Sequence, residues 1–555
     1  MSAVGDLCRL QEIIDASGVS PQIESRLPIG VRPRQLAVRT LLIGILATLA
    51  DKRPAHLARI HEALICLPEA DKWRLGVTCS WKSGPHELTY RQTERTFHLL
   101  VKALSKDRPD GKPCQTLSDL MDALIEGSVK VLGGGRAPQS SSYAIDWSDY
   151  ESFARPPRKR RGKAQGPDAQ PAQNAASAPR PTEAQDAAQQ ADGPQQDEAG
   201  NGTEQETEKE RCADPEAAWG HRKTNHPGTS ETFFGYYLQA VTIVREENGG
   251  DVPELVRRVT LASPKHDPPA MIVPVIQRMH EDGIEIADLL GDSGYSYRAP
   301  ETFAMPARAL GASLVIDLHP GDRGMKGTHE GATCCNGNLY CPATPKALFA
   351  LGPASPAATE KELAAHDQKT AELSRYKLSP LTAADQDGYR RLACPAVKGK
   401  LRCPLRASSM SLSHERPTIT DPPEHPPLCC SQQTITVAPT VNAKTAQKHD
   451  YPSKAHRASY ARRTASERSF SQVCDPASID IKRGWCRLMG LTGPTLLLTC
   501  AFIIANIRTA DAFTARQAEN QRRAACGLPP RRRRRRRRSL HDLTSHANAP
   551  PTIAA

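Results

Sequence analysis

Ser142-Tyr143-Ala144-Ile145-Asp146-Trp147 follows the turn Gly133-Gly134-Gly135 and reads as a short strand bearing a carboxylate. Downstream, residues 233–244 begin Phe233-Phe234-Gly235-Tyr236-Tyr237 and continue into β-branched side chains, which predicts a central strand or hairpin. Met271, Val275 and Met279 fall at i, i+4, i+8 and predict a helix. Residues 286–290 form an apolar run that enters the turn Gly291-Asp292-Ser293-Gly294-Tyr295. Residues 314–318 read as one more strand, with Asp317 inside it. Strands alternating with helices indicate an α/β core, with residues 140–154 as its first strand and 212–320 as its continuation.

Around this core the composition changes three times. Residues 1–130 look helical: Leu57, Ile60 and Leu64 share one face, and Tyr90, Phe97, Val101 and Leu104 share another. A helical unit ahead of the core suits a DNA end-binding module, or a plain bundle. Residues 155–211 open with Arg158, Lys159, Arg160 and Arg161 and then lose nearly all large apolar side chains. They are expected to be a disordered insert, because they cannot bury enough surface to offset ordering entropy. Residues 321–440 are rich in Pro and Cys with little periodicity and read as an insertion. Residues 441–510 return to helical patterns at 455–473 and 496–507, and 511–555 form a basic tail, expected disordered, with eight consecutive arginines from Arg531 to Arg538.

The chain has 555 residues, too many for one core. A formal charge of +12 favours a polyanionic partner, since each Lys or Arg beside a phosphate releases counterions. Residues 41–50 are too short to cross a bilayer. Residues 488–507 are long enough but are broken by Gly490, Gly493 and Pro494, so a buried helix is expected and no membrane partner. The N-terminus lacks a signal-peptide pattern, and the sixteen cysteines show no secretory spacing. Reduced thiols in a cytoplasmic protein follow.

Three acids stand out by position: Asp146 on the first strand, Asp292 after a later one, and Glu467 on a basic helix. Carboxylates converging from separate elements can hold two Mg²⁺ or Mn²⁺ ions, which favour oxygen ligands. Tyr460, Arg463 and Glu467 lie at i, i+3, i+7, so one helical face offers a ring for a base or sugar, a guanidinium for a phosphate and an acid for a metal. Arg468 and Lys223 are further candidate DNA contacts. Asp149 and Asp288 are the rival acids, and Asp149 should face away from Asp146 on an extended strand. In the insertion, Cys341, Cys394 and Cys403 each precede proline. With Cys429 they could hold a structural Zn²⁺, or be buried or loop thiols.

The run Tyr460-Ala461-Arg462-Arg463-Thr464-Ala465-Ser466-Glu467 resembles the Tyr-x2-Arg-x3-Glu motif of bacterial insertion-sequence DDE transposases. Residues 144–149 are similar to that family's first block, and Leu289-Leu290-Gly291-Asp292-Ser293-Gly294-Tyr295 to its second. The resemblance covers roughly 140–150 and 212–510. It implies a ribonuclease-H-like core with the first Asp on the first strand, the second Asp after a later strand and the Glu on a following helix. It also implies two-metal cleavage at element ends, transfer of the 3′-hydroxyls into target DNA, and at least a dimer on double-stranded DNA in the bacterial nucleoid. Seven residues after Glu467, where the family carries Lys, stands Cys474, which passes that contact to Lys482 or Arg468 or leaves this copy weakened. The alternatives are a non-catalytic DNA-binding protein and a nuclease of the same fold that cuts without joining.

Overall fold

The computed structural model describes residues 7–29, 34–81, 84–105, 111–133, 140–156, 212–223, 230–355 and 357–531, the side chains of Trp81, Lys223 and Ser230 excepted. The insert expected over 155–211 lies outside them from residue 157 on, as does the tail from residue 532 on. The chain divides into two units. Ala154–Pro215 is described only at its ends, where the Cys212 thiol donates to the Arg155 carbonyl at 3.8 Å. Met1–Phe153 and Glu216–Ala555 together form the other.

That larger unit is a mixed α/β structure built on a six-stranded sheet. Its central strand is β1 (Ser142–Glu151). On one side β1 pairs antiparallel with a 15-residue strand, β3 (Ser230–Val244), which in turn carries β2 (Ala218–Lys223) and β4 (Val256–Ala262), both antiparallel to it. On its other side β1 pairs parallel with β5 (Asp288–Gly291), and β5 pairs parallel with β6 (Ser313–Ile316). The stretch at 233–244 is therefore one strand and not a hairpin. β6 stops at Ile316, so Asp317 lies beyond the strand, where it accepts a hydrogen bond from Tyr451 Oη at 2.6 Å.

Strand alternation gives the sheet two apolar faces. On one, Tyr143, Ile145, Val241, Ile243, Leu289 and Leu314 pack against α1 (Pro268–Glu281). Pro268 and Pro269 open that helix, where missing N–H groups leave no bond unmade. Its Ile272, Val275, Ile276 and Met279 are buried, each worth roughly 1.5–3 kcal/mol. On the opposite face, Ala144, Val244, Leu290 and Val315 pack against Ala465 of α2 (Thr464–Cys474). The helix expected over 455–473 is in fact three pieces: Lys454–Tyr460, a tighter 3-10 turn at Ala461–Arg463, and α2.

Helices dominate residues 1–130, but a short antiparallel hairpin pairs Thr78–Trp81 with Gly84–Glu87. The helices Val38–Ala50 and Gln115–Leu132 pack against α3 (Thr492–Ala525). α3 is longer than the expected 496–507 and makes residues 511–525 helical instead of tail. It is the one described helix long and apolar enough to cross a membrane, yet the side chains from Leu496 to Ile507 are buried in the protein. Asn506 within it accepts from Val256 N–H at 2.7 Å and donates to Val256 C=O at 2.8 Å and to Ser128 Oγ at 3.0 Å. A buried amide so placed uses its hydrogen-bonding capacity on the sheet edge. The insertion at 321–440 has structure of its own. One three-stranded antiparallel sheet comprises Met325–His329, Ala332–Cys335 and Asn338–Tyr340, and another comprises Ser379–Pro380, Arg390–Ala393 and Thr434–Val437.

Candidate functional site

The parallel pairing of β1 with β5 sets Ser142 opposite Asp288 and Ala144 opposite Leu290. Asp146 lies two residues past the last pair and Asp292 just past the end of β5, and the two are within electrostatic reach. Both acids are an even number of residues from Ala144 and Leu290, whose face is covered by α2. Glu467 lies in the first turn of α2. Sheet register and helix packing thus bring all three sequence-predicted acids to one face.

Their contacts define the site. Asp146 Oδ1 accepts from Trp147 N–H at 3.0 Å, and its Oδ2 accepts from Ser466 Oγ and from Arg463 Nη1, each at 3.3 Å. The other guanidinium nitrogen of Arg463 pairs with Glu467, so one arginine bridges two of the three acids. Asp292 Oδ1 accepts from Gly294 N–H at 2.9 Å. A side chain at Gly294 would place its Cβ 2.1 Å from the Trp147 ring, so glycine is required for that approach. Burial pushes the Asp146 carboxyl up to about 6. The Arg463 charge opposes this, and Asp292 and Glu467 add to it. Tyr295 is fully buried against Trp147, with ring centroids 4.6 Å apart, and its hydroxyl has no hydrogen-bond partner among the described residues. The phenol is held well above its usual range by burial and by the charges of Asp146 and Asp292.

The rival acids are engaged elsewhere. Asp149 pairs with Arg222 at 2.8 Å. Asp288 is buried and is neutralised by Lys448 at 2.7 Å and Arg462 at 2.8 Å, a structural role. Tyr460 stacks on His456 with centroids 5.7 Å apart, and the Arg463 guanidinium lies 5.6 Å from its ring. Burial pushes its phenol up to about 12. Arg463, expected to meet a phosphate, is spent on carboxylates in this structure. Arg468, expected to meet DNA, is tied by two nitrogens to Glu254 and by 2.9 Å to Thr464 Oγ. Lys223 ends β2, and its side chain lies outside the described residues. Ser466 and Trp147 as supports of Asp146 carried no signal in the sequence beyond adjacency to the acids.

A divalent cation here would supply the positive charge that Asp146, desolvated and within reach of the charges of Asp292 and Glu467, lacks beyond Arg463. Arg463 holds both Asp146 and Glu467 as the structure stands. Accordingly, among the described residues no three His, Cys, Asp or Glu side chains are grouped to hold a metal ion as they stand. Cys341, Cys394, Cys403 and Cys429 are all buried, reduced thiols of the insertion. Burial pushes Cys341 up to about 12 and also raises Cys394 and Cys403. No protein-family model, curated protein or solved structure matches the chain.

Proposed function

We propose that the chain is a DDE-type transposase with a ribonuclease-H-like core, cutting and joining double-stranded DNA at the Asp146, Asp292 and Glu467 face. The observation that carries this reading is the parallel pairing of β1 with β5, with Asp146 two residues past the last pair on one strand and Asp292 just past the end of the other, within electrostatic reach of each other and of Glu467 on α2. An acid on the first core strand, an acid after a later strand and a glutamate on a following helix is the order the resemblance implies.

Asp146, Asp292 and Glu467 would hold Mg²⁺ or Mn²⁺ once Arg463 releases Asp146 and Glu467. Such ions, when bound, activate a water or 3′-hydroxyl and stabilise the leaving oxygen. The chain's own groups prepare for this. The Trp147 and Gly294 N–H groups and the Ser466 hydroxyl fix the two aspartates in orientation. Arg463 balances their charge in the free protein, and its planar fork suits a phosphate oxygen when DNA arrives. Basic surfaces and the arginine run supply sequence-independent affinity for the phosphate backbone. Element ends and target DNA are the substrates, a homodimer on DNA is the working form, and the bacterial cytoplasm is the location.

The test uses duplex oligonucleotides cut from the DNA on each side of the gene, carrying any inverted repeat found there, incubated with the protein, Mg²⁺ and a target plasmid. Joined products are expected. Cutting without joining would indicate a nuclease of this fold. Binding without either would favour a non-catalytic DNA-binding protein, a reading supported by the Arg463 bridge that occupies Asp146 and Glu467.

A further inference from the structure

The insertion contains one turn used three times. Cys341, Cys394 and Cys403 are each followed by proline, which fixes the φ needed to start a tight turn. In each, the cysteine carbonyl accepts from a backbone N–H three or four residues on: Thr344 at 3.0 Å, Lys398 at 3.1 Å and Arg406 at 2.9 Å. Within each turn the nearby backbone N–H groups of Ala343, of Ala396 and Val397, and of Leu405 favour the thiolate of Cys341, Cys394 and Cys403 in turn, against the burial that raises all three. All three belong to one buried cluster. A fourth buried thiol, Cys430, sits on the short helix Leu428–Ser431 and lies within electrostatic reach of Cys341, Cys394 and Cys403, which are also within reach of one another.

We propose that Cys341, Cys394, Cys403 and Cys430 are the ligands of a structural zinc ion that ties the two small sheets of the insertion together. Four sulfurs suit a closed tetrahedral site, and a Cys-only set with no open position points away from catalysis. The sequence alone put Cys429 in the fourth place. The structure assigns Cys430, which lies within electrostatic reach of all three of the others, whereas Cys429, 3.9 Å from it, reaches Cys341 and Cys394 but not Cys403. As the side chains stand, no three of these thiols meet at one point among the described residues, so binding and convergence occur together. Zn²⁺ replaces four thiol protons, which pass to solvent, and the resulting net negative charge lies near the Arg406 guanidinium. The proposal is independent of what the Asp146 face does.

The experiment is metal analysis of the full chain purified from zinc-supplemented cells, with Co²⁺ substitution to report the donor atoms. Wild type should carry one zinc per chain, and its cobalt form should show intense sulfur-to-metal charge transfer and the visible bands of a tetrahedral thiolate site. Cys430→Ser should lose the metal, whereas Cys429→Ser and the exposed control Cys66→Ser should keep it. Should Cys430→Ser fail to fold, the wild-type cobalt spectrum still decides. Folded wild type with no stoichiometric zinc and no cobalt–thiolate bands overturns the site. Metal lost from Cys429→Ser but kept by Cys430→Ser overturns the assignment of the fourth ligand.

Discussion

Arg463 is the residue on which the site turns, because it pairs with a part-buried aspartate and holds a glutamate in the same grip. Replacing it with Gln leaves Asp146 beside Asp292 without a counter-charge. Removing one partner of a part-buried pair costs on the order of 3 kcal/mol. The expected result is a lower Tm for Arg463→Gln in EDTA, with much of the loss recovered in Mg²⁺ or Mn²⁺; equal loss in both would separate the arginine from the metal site. His456 gives a pH signature. It is buried, its ring meets the Ile316 carbonyl at 3.2 Å, and burial pushes its pKa down to about 4 from 6.5. The unfolded chain therefore takes up this proton first. The stability it contributes is complete above about pH 6.5 and is lost as pH falls toward about 4, up to about 3 kcal/mol. Urea unfolding across that window should show wild type losing more stability than His456→Gln, and parallel curves would refute the assignment.

At the scale of elements, Asn506 ties α3 to the sheet edge through both backbone groups of Val256. Asn506→Leu would leave those groups buried without partners, at a cost of about 1–3 kcal/mol for each. Urea denaturation should show a loss of that order, and an unchanged midpoint would contradict the packing. The sequence made legible the elements whose periodicity is strong: β1, the strand before Asp292, and the helix bearing Glu467. It also placed Asp149 on the opposite face from Asp146 by simple strand alternation. Contacts formed across long separations were not legible. Nothing near Arg463 announces that it will choose Asp146, 317 residues earlier, over a phosphate. Asp288 looked like a spare ligand because its partners Lys448 and Arg462 are equally remote. The two small sheets of the insertion escaped notice since Cys and Pro punctuate strands too short to show a period. The extension of α3 to Ala525 was hidden by polar residues that a helix projecting past its core can expose.

For the whole molecule, the proposed function would divide the labour: the excess positive charge holds DNA and the Asp146 face cuts it. The eight-arginine run begins at Arg531, whose N–H bonds to Asn520 at 3.0 Å, so the run starts from the side of α3. Truncation after Pro530 should leave thermal unfolding unchanged, weaken binding to random-sequence duplex and flatten its salt dependence, since fewer counterions are released. An unaltered salt slope in a binding titration would show that the run does not meet phosphate. The central claim concerns the three acids. It is tested most directly by measuring metal-dependent nicking of a labelled duplex carrying the flanking inverted repeat, comparing wild type with Asp146→Asn, Asp292→Asn, Glu467→Gln and the control Asp149→Asn at matched DNA occupancy. Wild type and Asp149→Asn should expose a 3′-hydroxyl at the element end in Mg²⁺ or Mn²⁺, and each of the other three should fall by roughly three orders of magnitude or more while still binding. Nicking that survives in any of those three, or wild type that binds the repeat and never cuts it in either metal, would contradict it.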